Sequence, residues 1–166
     1  MVILRWLLRV ALGALALVAL VFLGARLHDG PLGPIPGGAL EDGPEVVEPI
    51  GDWSFAKEVG EVELQLASQG SSRTTWILVH EGEAYVPCSL GFPPGKRWHE
   101  QAAVDGRAVL RIEGRRYPVA LTRLDDAATA QLAPVIRAEV DRKYGRAPPS
   151  DAGVWLFRVA SRAPSS

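Results

Sequence analysis

The chain is poor in the residues that make covalent or metal chemistry easy to recognise. One cysteine, Cys88, in 166 residues excludes an intramolecular disulfide and a paired-cysteine zinc site. A lone cysteine in a strand-like run reads first as a small buried apolar residue, with a redox or nucleophilic thiol as the lesser alternative. The three histidines, His28, His80 and His99, show neither H-x-x-x-H nor H-E-x-x-H spacing, so no metal site is expected. They read as interfacial or strand-end residues, with a haem ligand as the minority reading. No G-x-S-x-G elbow, phosphate-binding P-loop or pair of catalytic carboxylates is present. The net charge of −1 and the absence of basic runs alternating with aromatics exclude a nucleic-acid groove.

What the chain has in excess is one apolar run. Val10 to Ala25 carries no charge and is almost entirely Ala, Leu and Val. With Val2 to Leu8 it exceeds the roughly 20 residues that cross a bilayer. Arg5 and Arg9 precede the uncharged run, whereas Arg26 and Asp29 follow it, which predicts an N-in single-pass anchor over 1–27 and an exported C-terminal body. A cleaved signal peptide is the competing reading. Leu23-Gly24-Ala25 is a poor small-x-small site, which favours the uncleaved anchor.

Residues 28–51 follow, and His28 to Val47 within them holds Pro31, Pro34, Pro36 and Pro44 among five glycines. Proline removes donors and glycine raises the entropy cost of order, so neither helix nor ladder is expected and the segment reads as a spacer. Its acidic end, Glu41-Asp42-Gly43-Pro44-Glu45, reads as solvated, a cation site being the alternative. Asp52-Trp53-Ser54-Phe55 opens the domain proper (52–160). Two large aromatics there read as a packing plug, or alternatively as a pocket lid.

Within the domain, Glu61 to Leu66 alternates polar and apolar, the signature of a half-buried strand. Further strands are expected over Thr74 to His80, Ala84 to Ser89, Val109 to Ile112, Tyr117 to Leu124 and Val154 to Val159. Glu81-Gly82 and Glu113-Gly114 supply tight turns. Pro87 places its strand at an edge or a bulge. A short helix is expected from Lys96 to Val104, and a longer one after Asp125 or Asp126, either of which can cap it. The longer helix should present Leu132, Val135, Ile136, Val140 and Tyr144 on one face, with a kink or restart at Pro134. Residues 161–166 are expected to fray. The count predicts a mainly β (α+β) domain, a barrel of about six mostly antiparallel strands with two helices, since closure removes exposed edges.

This order resembles the split β-barrel of the pyridoxamine 5'-phosphate oxidase-like and deazaflavin-dependent nitroreductase-like flavoproteins. The resemblance is carried by T-T-W-I-L-V at Thr74 to Val79, A-Y-V-P-C-S at Ala84 to Ser89 and G-K-R-W at Gly95 to Trp98. It continues through V-D-G-R-A-V-L-R-I at Val104 to Ile112 and G-R-R-Y-P-V at Gly114 to Val119. It implies a site for FMN or the deazaflavin F420, usually at a homodimer interface, with an oxidoreductase role and an unknown redox partner. The positions matching the cofactor contacts are Arg73, Thr74, Thr75, Ser89, Lys96 and Arg97, with Trp98 to stack on or wall the ring. Charge-assisted donors and oriented amides at a helix start suit a phosphate. The alternatives for Lys96 and Arg97 are an ordinary solvated helix start or an anionic lipid contact. At the level of the whole protein, the alternative is a membrane-tethered binding or scaffold module that has lost the cofactor.

Overall fold

The computed structural model describes residues 2–91, 93–145 and 153–163. Helix α1 (Val2–Leu27) is followed by an extended segment and a 3-10 turn at Ser54–Ala56. Strands β1 (Glu61–Leu66), β2 (Ser72–Trp76), β3 (Leu78–His80) and β4 (Glu83–Ser89) come next. Helix α2 (Trp98–Val104) leads into β5 (Arg107–Ile112) and β6 (Arg115–Arg123), then helix α3 (Asp126–Tyr144) and β7 (Val154–Ser161).

All seven strands join one antiparallel sheet in the order β2-β1-β5-β6-β7-β4-β3. Its two outer members are consecutive in the chain, separated only by Ile77. They are two halves of one strand, the expected Thr74 to His80 run. The first half pairs with β1 (Val62↔Thr75) and the second with β4 (Val79↔Ala84). A single bent strand thus serves both edges and closes a six-stranded barrel, as expected from the cost of leaving edges open. Ile77 at the bend is fully buried.

Both predicted hairpin turns form. Glu81-Gly82 and Glu113-Gly114 have φ of 51° and 79°, and of 49° and 77°, the paired positive values of a tight two-residue connection. Alternate residues fill the bore: Val62, Leu64 and Leu66 from β1, Ala108, Leu110 and Ile112 from β5, Val119 and Phe157 from β6 and β7. Trp53 and Ala56 plug one end, with Phe55 stacked on Trp53 and Tyr117 at centroid distances of 5.8 and 5.6 Å. The plug reading of the first aromatic pair therefore holds. Helix α2 closes the other end through Trp98 and Ala102.

Strand β4 lies between β7 and β3, but at Pro87 only its β7 side is paired, so the strand is locally an edge there as expected. Pro87 is tolerated because the pairing with β3 stops at Tyr85, so no β3 residue stands opposite Pro87. Helix α3 differs from expectation: it runs unbroken through Pro134. Leu132, Ile136, Val140 and Tyr144 pack on Trp76, Leu78, Tyr85 and Leu156, and this seam offsets the backbone bond that Pro134 cannot make. Asp125 caps the helix through a 2.7 Å bond accepted from the Ala128 amide, and Gly145 ends it at φ 73°. Strand β7 extends through Ser161, and the Arg162 amide donates to Pro118 O at 3.0 Å, so ordered structure runs past the expected start of the tail. Pro148 and Pro149 lie outside the described residues.

The largest correction concerns 28–51, which is a strap bound along the barrel and makes ladder contacts. Gly37 bridges Ser72 antiparallel, and Glu45 bridges Arg116 in parallel. Leu40 is buried, and its amide donates to Gln65 Oε1 at 2.8 Å. Arg111, 11% exposed, ion-pairs with both Asp29 of the strap and Glu63 of β1. The acidic end is likewise engaged: Glu45 pairs with Arg116 at 3.4 Å, and the Asp42 carbonyl accepts from Arg111. Local composition missed these partners because they lie far along the chain.

Burial pushes the Asp29 carboxyl up. The bond from Arg111 and the amides of Glu41 and Asp42 outweigh it, and the net value falls below the ordinary 3.8. A depressed carboxylate contributes stability above its unfolded value and loses it as pH falls through the folded one. Strap amides Glu41 and Asp42 should therefore exchange faster below pH 4 in hydrogen-exchange measurements, and Asp29→Asn should abolish that acid dependence. Arg111→Ala leaves two carboxylates without their cation and should cost about 2 kcal/mol in denaturant unfolding. A loss below about 0.5 kcal/mol would mean that the strap is not held by this triad.

Candidate functional site at the α2 end of the barrel

The strand parity that fills the bore with aliphatic side chains also turns Arg73 inward. Arg73 stands opposite Leu64 in the β1–β2 register, on the inner face. A guanidinium in such a place needs partners, because an uncompensated buried charge is costly. It bonds Gln69 Oε1 through one terminal nitrogen, and its Cζ lies 5.7 Å from the centroid of the Trp98 ring. Its Nε is buried without a hydrogen-bond partner, and no carboxylate among the described residues pairs with it. Burial pulls its pKa down to about 10, so the cation persists at neutral pH.

Around it sit groups that remain neutral. Burial pushes the Cys88 thiol up to about 11, against the opposing pull of Lys96 and Arg73. Cys88 is therefore a thiol at neutral pH, as a buried apolar residue should be. His99, also buried, packs edge-on against Trp155 at 5.1 Å and Trp98 at 6.3 Å. Burial lowers its pKa, and its Nδ1 lacks a partner. The arrangement is a permanent cation in an aromatic wall beside a neutral imidazole, with two unsatisfied polar atoms. It can attract an anion; it has no activated nucleophile.

The expected site residues divide. Arg73 and Trp98 meet at this end, and Lys96 is near enough to act electrostatically on Cys88 and His99. Trp98 is 7% exposed and belongs to the core. Thr75 shares the inner face with Val62, one inward position further down the strand. Thr74 faces outward and donates to Gly33 O of the strap at 2.7 Å. Ser89, half-buried at the end of β4, pairs with Val154 on the face opposite to Cys88. Arg97 is 78% exposed and ion-paired with Glu100 at 3.0 Å, the ordinary solvated helix start. Gln69, Cys88, His99 and Trp155 were not among the expected residues. Cys88 and Trp155 were recoverable from parity, since each occupies an inward position two residues from a core residue, Val86 or Phe157.

Among the described residues no group of His, Cys, Asp and Glu could hold a metal. A separate cleft of about 410 Å³ lies between α3 and the β3–β4 turn, lined by Ser54, Lys57, His80, Glu81, Glu139 and Arg142. None of the expected residues lines it. Its arginine is already satisfied by Glu139 at 2.8 Å and Glu58 at 2.9 Å.

No family model matches the chain, and no curated protein matches it. Among solved structures it is similar to a protein from Listeria innocua provisionally described as a pyridoxamine 5'-phosphate oxidase. That similarity has 13% identity and a TM-score of 0.43, covering 68% of this chain and 94% of the other. It is also similar to an FAD-binding protein from Mesorhizobium loti, at 15% identity and a TM-score of 0.42, covering 66% of this chain and 86% of the other. Both are likenesses of chain path.

Cys88 supplies a probe of the charge at this end. Thiol alkylation of the native protein should be slow at pH 8 and should accelerate only as pH approaches about 11. Arg73→Met removes a cation that favours the thiolate and should move that acceleration to higher pH. An unchanged profile would mean that Arg73 does not act on Cys88.

Proposed function

We propose that this chain is a membrane-anchored split-barrel protein that binds a phosphate-bearing flavin or deazaflavin, FMN or F420, at the α2 end of its barrel. The observation that supports this reading is Arg73, a cation held in the wall without a carboxylate and with its Nε unsatisfied. A phosphate meets both needs by charge and by hydrogen bonding. Arg73 and Lys96 are the residues assigned to the phosphate. Thr74 and Arg97 have other partners and are left out of the assignment. The bore is filled by Leu64, Leu110 and Phe157, so the cofactor's place is the rim, with a second copy of the chain as the proposed opposing wall. When bound, a flavin supplies hydride or electron transfer; this chain's residues bind it, orient it and limit water beside it. An oxidoreductase with the barrel outside the cytoplasm is the corresponding role for the whole protein.

The packed bore favours a second reading, a cofactor-free tethered binding module. Visible absorption of the purified full-length protein separates the two. A flavin or deazaflavin band, or uptake of added FMN or F420, supports the first. A colourless protein that takes up neither supports the second. If Arg73 grips phosphate, Arg73→Met should weaken uptake about 10- to 100-fold, the value of one or two charge-assisted bonds; unchanged affinity removes Arg73 from the site.

A further inference from the structure

The strap does more than connect the anchor to the barrel. The strap folds back against the end of α1: the Gly38 amide donates to the carbonyl of His28, the residue that follows the helix, at 2.8 Å, and Ala25 in the last turn is 1% exposed. Any Cβ at Gly38 would come within 2.8 Å of the Arg26 and His28 carbonyl oxygens, so only glycine allows this approach. On its other side the strap is fixed to β2. Gly37 and Ser72 exchange backbone bonds of 3.1 and 3.2 Å, and the fully buried Ser72 donates through Oγ to Gly38 O at 2.6 Å. Asp29, two residues past the helix, is held by Arg111 of β5. The end of the apolar helix is therefore bonded to the outer wall of β2, β1 and β5, with no slack chain between.

That wall has a defined opposite. Around the closed barrel β1 and β5 face β7 and β4 across the bore, and α3 packs on the outside of β3, β4 and β7. Beside the helix end the strap makes a tight turn, with reciprocal bonds between Leu32 and Ile35 of 3.0 and 3.1 Å. Leu27, the last residue of α1, and Leu32 stand 83% and 41% exposed, and α1 is the one helix among the described residues long and apolar enough to cross a membrane. Apolar side chains in that position suit the boundary between headgroups and acyl chains.

We infer that the strap seats the β2-β1-β5 wall on the phospholipid surface, with the Leu32–Ile35 turn entering the headgroup zone, and points α3 and its cleft away from the membrane. The inference rests on α1 being a membrane span, and it gives the Leu32–Ile35 turn to lipid contact while the rest of residues 28–46 fixes the barrel to the helix end.

The test uses the full chain in phospholipid nanodiscs, in a Cys88→Ala background, with one spin label at Leu32→Cys, Glu41→Cys or Arg137→Cys. A nickel chelate carried on lipid headgroups reports distance from the surface. The expected order of relaxation enhancement is Leu32 first, Glu41 next, and Arg137 of α3 near the level seen without nickel. Gly38→Ala, which forces the strap off the helix end, should shrink the difference between Leu32 and Arg137 at least twofold. Equal enhancement at all three sites in incorporated protein would overturn the seating while leaving the anchor intact. Failure of the chain to incorporate into nanodiscs would overturn the anchor, and the seating with it.

Discussion

The structure depends on one strand that bends. At Ile77 the chain leaves its pairing with β1 and takes up pairing with β4, so one bent strand joins the two ends of the sheet. Closure fixes which side chains face inward. It places Leu64, Leu110, Val119 and Phe157 in a continuous core and commits the inward position opposite Leu64 to an arginine. A chain of this size has little surplus stability with which to bury a charge. Arg73 is accommodated because Gln69, the Trp98 face and the nearby rim share the cost.

The outer surface of the barrel is covered in two chemically distinct ways. Over β3, β4 and β7 the cover is an amphipathic helix meeting apolar residues, with Trp76 stacked on Tyr144 at 4.0 Å. Over β2, β1 and β5 the cover is an irregular strap meeting polar residues, and the contacts are ion pairs and backbone bonds centred on Arg111 and Arg116. The apolar contacts of the helix seam carry no charge to screen or protonate, although Arg142 adds ion pairs to Glu139 and Glu58 at its end. The polar seam weakens when its carboxylates protonate.

Much of this was legible from local sequence. Alternation located β1 to the residue, the two Glu-Gly pairs marked both tight turns, and Asp125 was one of two caps offered for α3. Four of five residues expected on the packed face of α3 lie there; the fifth, Val135, faces the cleft. What composition hid was long-range pairing. Asp29 and Arg111 are 82 positions apart, so a segment rich in proline and glycine looked unpartnered when its partners were simply distant. Pro134 misled for a related reason: the tertiary seam, invisible locally, overrides a weak helix position. At the site, the basic and aromatic residue types were readable but their directions were not. Parity separates Arg73 from Thr74, and an ion pair one turn away draws Arg97 into solvent.

The central claim is that the α2 end of the barrel recognises a phosphate through a cation left without a carboxylate. The most direct measurement is the affinity of the full-length protein for FMN beside that for riboflavin, which carries the same ring and no phosphate. The account predicts that FMN binds at least about tenfold more tightly, the value of one charge-assisted contact. Equal affinities for the two would contradict it.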